Sequence, residues 1–140
     1  MKEAVLTLEL ANQHHEVERA LDAFESFSEE AEVPKKAVLR IRLVLEELLL
    51  NTVLYGFPQG GEHLIFLNVA LRDQTLTLEI RDPGIAFNPF AEAPAPDLVN
   101  PVEDRRIGGL GVHLVRKTMD EVSYCRDGAF NCIRASKFLG

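Results

Sequence analysis

Residues 44–56 read VLEELLLNTVLYG, an apolar run interrupted by Glu46, Glu47 and Asn51. Glu47 and Asn51 stand four apart, so on a helix they share one face. A carboxylate and an amide placed together can accept a proton and offer an oxygen to a hard cation such as magnesium. A plainer reading is open at this point: Glu46 pairs with Arg42 on a solvated face, and Asn51 satisfies a nearby backbone group. The run closes a longer helical stretch, KKAVLRIRLVLEELLLNTVLYG. Pro34 suits its first turn, where the missing N–H costs nothing, and Gly56 is a natural stop.

Upstream, AVLTLEL (4–10) sets Val5 against Leu6, Leu8 and Leu10, which predicts a short strand. From His14 to about Ala31, Val17, Leu21, Phe24 and Phe27 recur at helical steps among charged residues, predicting an amphipathic helix. Downstream, HLIFLNVAL and TLTLEIRD read as a hairpin joined through Arg72-Asp73-Gln74. Five prolines then fall between 83 and 107, where neither period survives. A stretch this long without regular structure in a compact domain serves a function or moves. Helical spacing returns after Gly108, Gly109 and Gly111 with Val112, Val115 and Met119. EVSYC and FNCIRASKFL, split by Asp127-Gly128, predict a last pair of strands. The order β-α-α-β-β-loop-α-β-β implies an α+β two-layer sandwich, one domain over residues 1–140, rather than a doubly wound parallel sheet.

The 140 residues are 46% hydrophobic and 26% charged, enough to bury a core. Fifteen Lys+Arg against 22 Asp+Glu leave a formal charge of -7, which argues against a nucleic-acid backbone as partner. No apolar run approaches the ~18 residues of a membrane span. The first ten residues carry Glu3 and Glu9 and do not read as a signal peptide. A cytoplasmic domain, off the membrane, is expected. Cys125 and Cys132 are too few for a disulfide framework or a four-cysteine zinc site, and both are expected as core thiols on adjacent strands.

Two more stretches carry chemistry. In IRDPG (80–84), Asp82 ends a strand, so its carboxylate can face a cavity and accept a hydrogen bond from an exocyclic amine such as that of adenine. Gly84 would let the backbone approach a ring. The tripeptide also favours an ordinary turn. In IGGLGVHLV (107–115), three glycines directly before a helix leave backbone N–H groups free to meet an anion, aided by the helix dipole. It is not a Walker loop, since no Gly-Lys-Ser/Thr follows. It also reads as a flexible hinge. His14 and His15 lack ligand-spaced partners and read as solvated. His113 could approach phosphate or face solvent. Arg105 and Arg106 could pair with phosphate oxygens or form a polar tip.

Taken in order, the EELLLN helix, the strand ending RDPG, the long loop and GGLGVHLV closely resemble the GHKL (histidine-kinase-like) ATPase superfamily. Within it the chain looks like the RsbW-like serine-protein kinases that act as bacterial anti-sigma factors, over roughly residues 3 to 139. The LVRKTMDEVSY stretch, read as a closing helix, is similar as well. The resemblance implies the Bergerat two-layer fold with a mixed, mostly antiparallel sheet, and ATP and Mg2+ as ligands. It makes Glu47 the general base and Asn51 the magnesium ligand. Asp82 and Gly84 become the adenine site, and Gly108, Gly109 and Gly111 the phosphate-wrapping box. Residues 85–107 match the ATP lid. Two departures stand out: Ala86 replaces a frequent glycine, and in GAFNCIRA Asn131 stands in for a frequent threonine.

The implied activity is transfer of the γ-phosphoryl of Mg-ATP to a serine or threonine of a small anti-sigma factor antagonist-like protein. A sigma factor is the implied target and a homodimer through the first strand and helix the implied assembly. An ATP-gated binding module with little chemistry is the alternative. A detached histidine-kinase ATPase domain fits less well, because no dimerisation helix with a phosphoacceptor histidine precedes the site.

Overall fold

The computed structural model describes residues 1–92 and 109–140. The elements are β1 (Ala4–Ala11), α1 (His14–Glu30), α2 (Lys35–Tyr55), β2 (Leu64–Arg72), β3 (Thr75–Asp82), α3 (Pro89–Glu92), α4 (Gly109–Thr118), β4 (Glu121–Asp127) and β5 (Phe130–Phe138). One five-stranded sheet runs β1-β2-β3-β5-β4. Every pairing is antiparallel, so the expected mixed, mostly antiparallel sheet contains no parallel pair among the described residues.

Alternation along the strands builds the two layers. Leu76, Leu78, Ile80 and Asp82 on β3 face the helices, while Thr77, Glu79 and Arg81 face the open side. Val17, Leu21, Phe24 and Phe27 of α1 and Val44, Leu45, Leu48 and Leu49 of α2 close over that inner face. Fully burying each such side chain stabilises the fold by about 1.5–3 kcal/mol.

Local chemistry sets the element ends. Glu16, in the first turn of α1, accepts hydrogen bonds from Arg19 and from the Ala11 amide, which hold its carboxyl down to about 2. The helix ends in a paired cap: Val33 N–H reaches Ser28 O at 2.9 Å and Glu32 N–H reaches Glu29 O at 3.1 Å, with Glu32 at φ 61°. Asp73 and Gln74 both take positive φ, 50° and 61°, and make the tight turn between β2 and β3.

Three expectations are corrected. Gly109 and Gly111 do not precede a helix; they are its first and third residues. LVRKTMDEVSY is not one helix, because α4 stops at Thr118 and Glu121 onward pairs with β5, where Val122 and Tyr124 fill the inner face. The proline-rich loop also contains a helical turn, α3, held where Asn88 Oδ1 accepts the Phe90 amide at 3.0 Å. Gly108, Arg105, Arg106 and the part of the expected lid at 93–107 lie outside the described residues.

Candidate functional site

The face of α2 that turns toward α4 presents Glu47 and Asn51. The Asn51 amide donates to Glu47 Oε1 at 3.4 Å. Asn51 is only 1% exposed, a buried amide within the apolar run of α2. Its nitrogen is committed to Glu47, which leaves the carbonyl oxygen to offer elsewhere. Burial pushes the Glu47 carboxyl above its ordinary range; the Asn51 hydrogen bond opposes this and the Glu46 charge adds to it. The plainer pairing of Glu46 with Arg42 does not form. Arg42 instead binds Glu25 at 2.5 Å and Glu18 at 3.5 Å.

The start of α4 lies directly on Glu47. A β-carbon at position 111 would stand 1.8 Å from Cδ of Glu47, so only glycine permits the approach. The first turn of α4 therefore stands at the same end of the molecule as the Glu47 carboxylate.

Asp82 ends β3 and is 2% exposed. Its Oδ1 accepts the Gly84 amide at 2.8 Å and Asn131 Nδ2 at 3.1 Å, which leaves Oδ2 without a partner among the described residues. The two readings of Asp-Pro-Gly are thus compatible: one oxygen makes the turn and the other remains for a ligand. Burial raises this carboxyl's pKa, against the Asn131 and Gly84 hydrogen bonds and the Arg126 charge. Gly84 packs on the end of α2, where an added β-carbon would fall 2.4 Å from Gly56 O, and Ile85 N–H donates to that same oxygen at 2.8 Å. The end of α2 and the end of β3 are joined there, so Glu47, Asn51, Asp82 and Gly111 gather at one end of the fold.

Asn131 fastens this end. It donates to Asp82 Oδ1 and to Ile85 O at 2.7 Å, and its own Oδ1 accepts the Phe87 amide at 3.2 Å and the Tyr124 hydroxyl at 2.5 Å. All four bonds an amide side chain can make are made, which fixes its orientation. Arg126 donates to Gly84 O at 2.8 Å, and Phe87 packs on Tyr55 with ring centroids 5.1 Å apart. Sequence reasoning missed Tyr124, Arg126, Tyr55 and Phe87. The available signal was the register of the last hairpin, which sets Arg126 opposite Asn131. Ala86 is exposed and has no positive φ, so its side chain strains nothing. Arg116 of α4 donates to Phe90 O at 2.9 Å and covers the Phe90 ring, joining α4 to α3. His14, His15 and His113 are exposed.

A model of the histidine kinase-like ATPase domain matches residues 10–137. The chain belongs to that family. It is 29% identical over 100 residues to the anti-sigma F factor of Bacillus cereus (strain G9842), covering 71% of this chain and 68% of the relative. It is 29% identical over 83 residues to that of Bacillus licheniformis, covering 59% and 56%. Among solved structures, the RsbU and RsbW domains of Rv1364c from Mycobacterium tuberculosis share the fold at a TM-score of 0.69 and 13% identity. That match covers 97% of this chain and 32% of the other, so the chain spans about a third of that protein. A blue-light activated histidine kinase from Erythrobacter litoralis EL346 matches at a TM-score of 0.55 and 18% identity, over 78% of this chain and 32% of the other. The mixed helix and sheet architecture is that of the histidine kinase-like ATPases. No described helix is long and apolar enough to cross a membrane.

No group of three or more His, Cys, Asp or Glu able to hold a metal occurs among the described residues. The oxygens at hand are the Asn51 carbonyl and the Glu47 carboxylate. Hard oxygens in small number suit magnesium, which keeps several waters and takes further oxygens from phosphate.

Proposed function

We propose that this chain is an ATP-binding serine/threonine protein kinase of the anti-sigma regulatory type, acting on a small antagonist protein in a partner-switching system. The observation that carries the proposal is the pressing of Gly111 of α4 onto Glu47. It sets a carboxylate of raised pKa beside the helix N-terminus where a phosphate would be held. The Bacillus relatives named anti-sigma F factors support the regulatory role.

Asp82, through Oδ2, reads the adenine amine, and Gly84, packed against Gly56 O, belongs to the same adenine site by holding the turn that presents this carboxylate. Asn131 holds Asp82 in place. The first turn of α4, with Gly109 and Gly111, meets the phosphates through backbone N–H groups, and Gly108 belongs to the same box. Asn51, with its carbonyl oxygen, would hold magnesium. When bound, magnesium offsets the charge of the phosphate oxygens. Glu47 accepts the proton of the substrate hydroxyl as it attacks. Its raised pKa makes it a stronger base than an exposed carboxylate. Positioning and electrostatics carry most of such a reaction. Residues 85–107 serve as a lid over the nucleotide, and a sigma factor is the regulated target. The working unit is a cytoplasmic, single-domain homodimer; β1 is a sheet edge open to pairing.

The test is phosphotransfer from γ-labelled ATP to a small protein of the anti-sigma factor antagonist type, captured with this chain from native lysate. Label on a serine or threonine, lost in Glu47→Gln with ATP binding retained, is the expected result. ATP binding without transfer in the wild type would reduce the chain to a nucleotide-gated binding module.

A further inference from the structure

The last hairpin carries a feature that the nucleotide reading does not use. Cys125 of β4 and Cys132 of β5 are direct register partners. Facing residues of an antiparallel pair have Cα atoms about 4.5–5.5 Å apart. A disulfide needs about 4.4–6.8 Å. The two side chains share the open face of the sheet: Cys132 lies opposite Arg81 of β3, and Arg81 lies opposite Phe66 of β2. Cys125 is exposed and Cys132 buried, so only one of the expected core thiols is in fact covered. This asymmetry suits an attacking thiol open to an oxidant and a resolving thiol behind it.

We propose that Cys125 and Cys132 form a reversible cross-strand disulfide, a thiol redox site that tightens the hairpin next to Asp82. The Cys125 sulfur attacks hydrogen peroxide, the O–O bond breaks, one water leaves and a sulfenic acid remains. The Cys132 sulfur then attacks the Cys125 sulfur; the S–O bond breaks, the S–S bond forms and a second water leaves. Two thiols lose two electrons and one peroxide gains them. Exposure of Cys125 lets a reducing thiol reverse the step. Burial holds the Cys132 thiol's pKa up, with Glu79 and Cys125 adding to it and Arg81 opposing; this keeps the resolving sulfur quiet until the sulfenic acid stands beside it.

The bridge reaches the site through its chain neighbours. Tyr124 and Arg126 flank Cys125, and Asn131 precedes Cys132. Tyr124 donates to Asn131, Asn131 holds Ile85 O and the Phe87 amide, and Arg126 holds Gly84 O. β4 is an edge strand, free to fray on one side. A covalent tie to β5 suppresses that fraying and steadies the segment 84–87.

The test uses the reduced full-length chain treated with hydrogen peroxide and needs no nucleotide. Mass spectrometry should show a monomer lighter by two hydrogens, with the peptides of Cys125 and Cys132 linked and released by dithiothreitol. Amide exchange across 84–87 should slow severalfold in the oxidised form. In Cys132→Ser, the linked product should vanish and a sulfenic acid at Cys125 should be trapped by dimedone. A disulfide between two chains through Cys125, a sulfinic acid at Cys125 with Cys132 untouched, or unchanged exchange across 84–87 would overturn the proposal.

Discussion

Burial holds the Glu47 carboxyl above the 4.5 of an exposed glutamate, and this has consequences of opposite sign for folding and for chemistry. A folded-state pKa above the unfolded one means that the folded chain favours the neutral acid. That contribution is fully present below 4.5 and is lost as pH rises through the folded value. Above the folded value the fold bears the cost of a half-buried charge. Glu47→Gln keeps the Asn51 hydrogen bond and removes the charge. Denaturant unfolding at pH 7 should find this variant at least as stable as the wild type, with the difference closing below pH 4.5. Phosphotransfer by the wild type should rise with pH through a midpoint above 4.5, since only the ionised base accepts a proton, and should be lost in the variant. A variant both less stable and still active would assign Glu47 a structural role. The pairing of Glu47 with Asn51 was legible as an i,i+4 spacing on α2, but the placement of Gly111 on Glu47 was not, because it depends on how α4 packs over α2.

The glycines of α4 show how an element's position rests on a missing atom. A β-carbon at 111 meets the Glu47 side chain at 1.8 Å and its Oε1 at 2.2 Å. Gly111→Ala should thus displace the carboxylate or tilt α4, costing about 1–3 kcal/mol in stability. A melting curve and a transfer assay on the same sample check this: a modest fall in midpoint should accompany a near-complete loss of transfer. The turn between β2 and β3 gives the converse case. Gln74 sits at φ 61°, a conformation that costs a side chain roughly 1–2 kcal/mol and glycine nothing. Glycine's larger loss of backbone freedom offsets about 0.5–1 kcal/mol of that. Gln74→Gly should accordingly raise stability by up to about 1 kcal/mol in urea unfolding, without altering ligand binding. The elements were legible because their periods are clean: the alternation of TLTLEIRD and the spacing of Val17, Leu21, Phe24 and Phe27 survive unchanged in the fold. The boundaries of α4 were not, because glycines read as helix breakers until a neighbouring side chain shows what they make room for.

The molecule as a whole is a sheet covered by helices on one side, with its chemistry gathered where β3, α2 and α4 end or begin together. The helix-side core was readable from pattern alone. The joining of Gly84 to Gly56, and three of the four bonds of Asn131, were not, since they link segments 28 and 44–49 residues apart in the chain. Asp82 stands at the centre of that join with one oxygen committed and one left over, and the claim that this chain is a nucleotide-binding enzyme rests on what the second oxygen reads. Asp82→Asn places an amide nitrogen there. If it faces the ligand it opposes the adenine amine, donor to donor; if it turns inward it opposes the Gly84 and Asn131 donors instead. Either orientation loses a charge-assisted bond worth about 1.5–3 kcal/mol, a fall in affinity of at least about tenfold. Calorimetry of Mg-ATP binding to the wild type and to Asp82→Asn measures this directly. Saturable binding by the wild type, weakened at least tenfold in a variant that stays folded, is the predicted result. Equal affinity in both proteins, or no binding by the wild type, would contradict it.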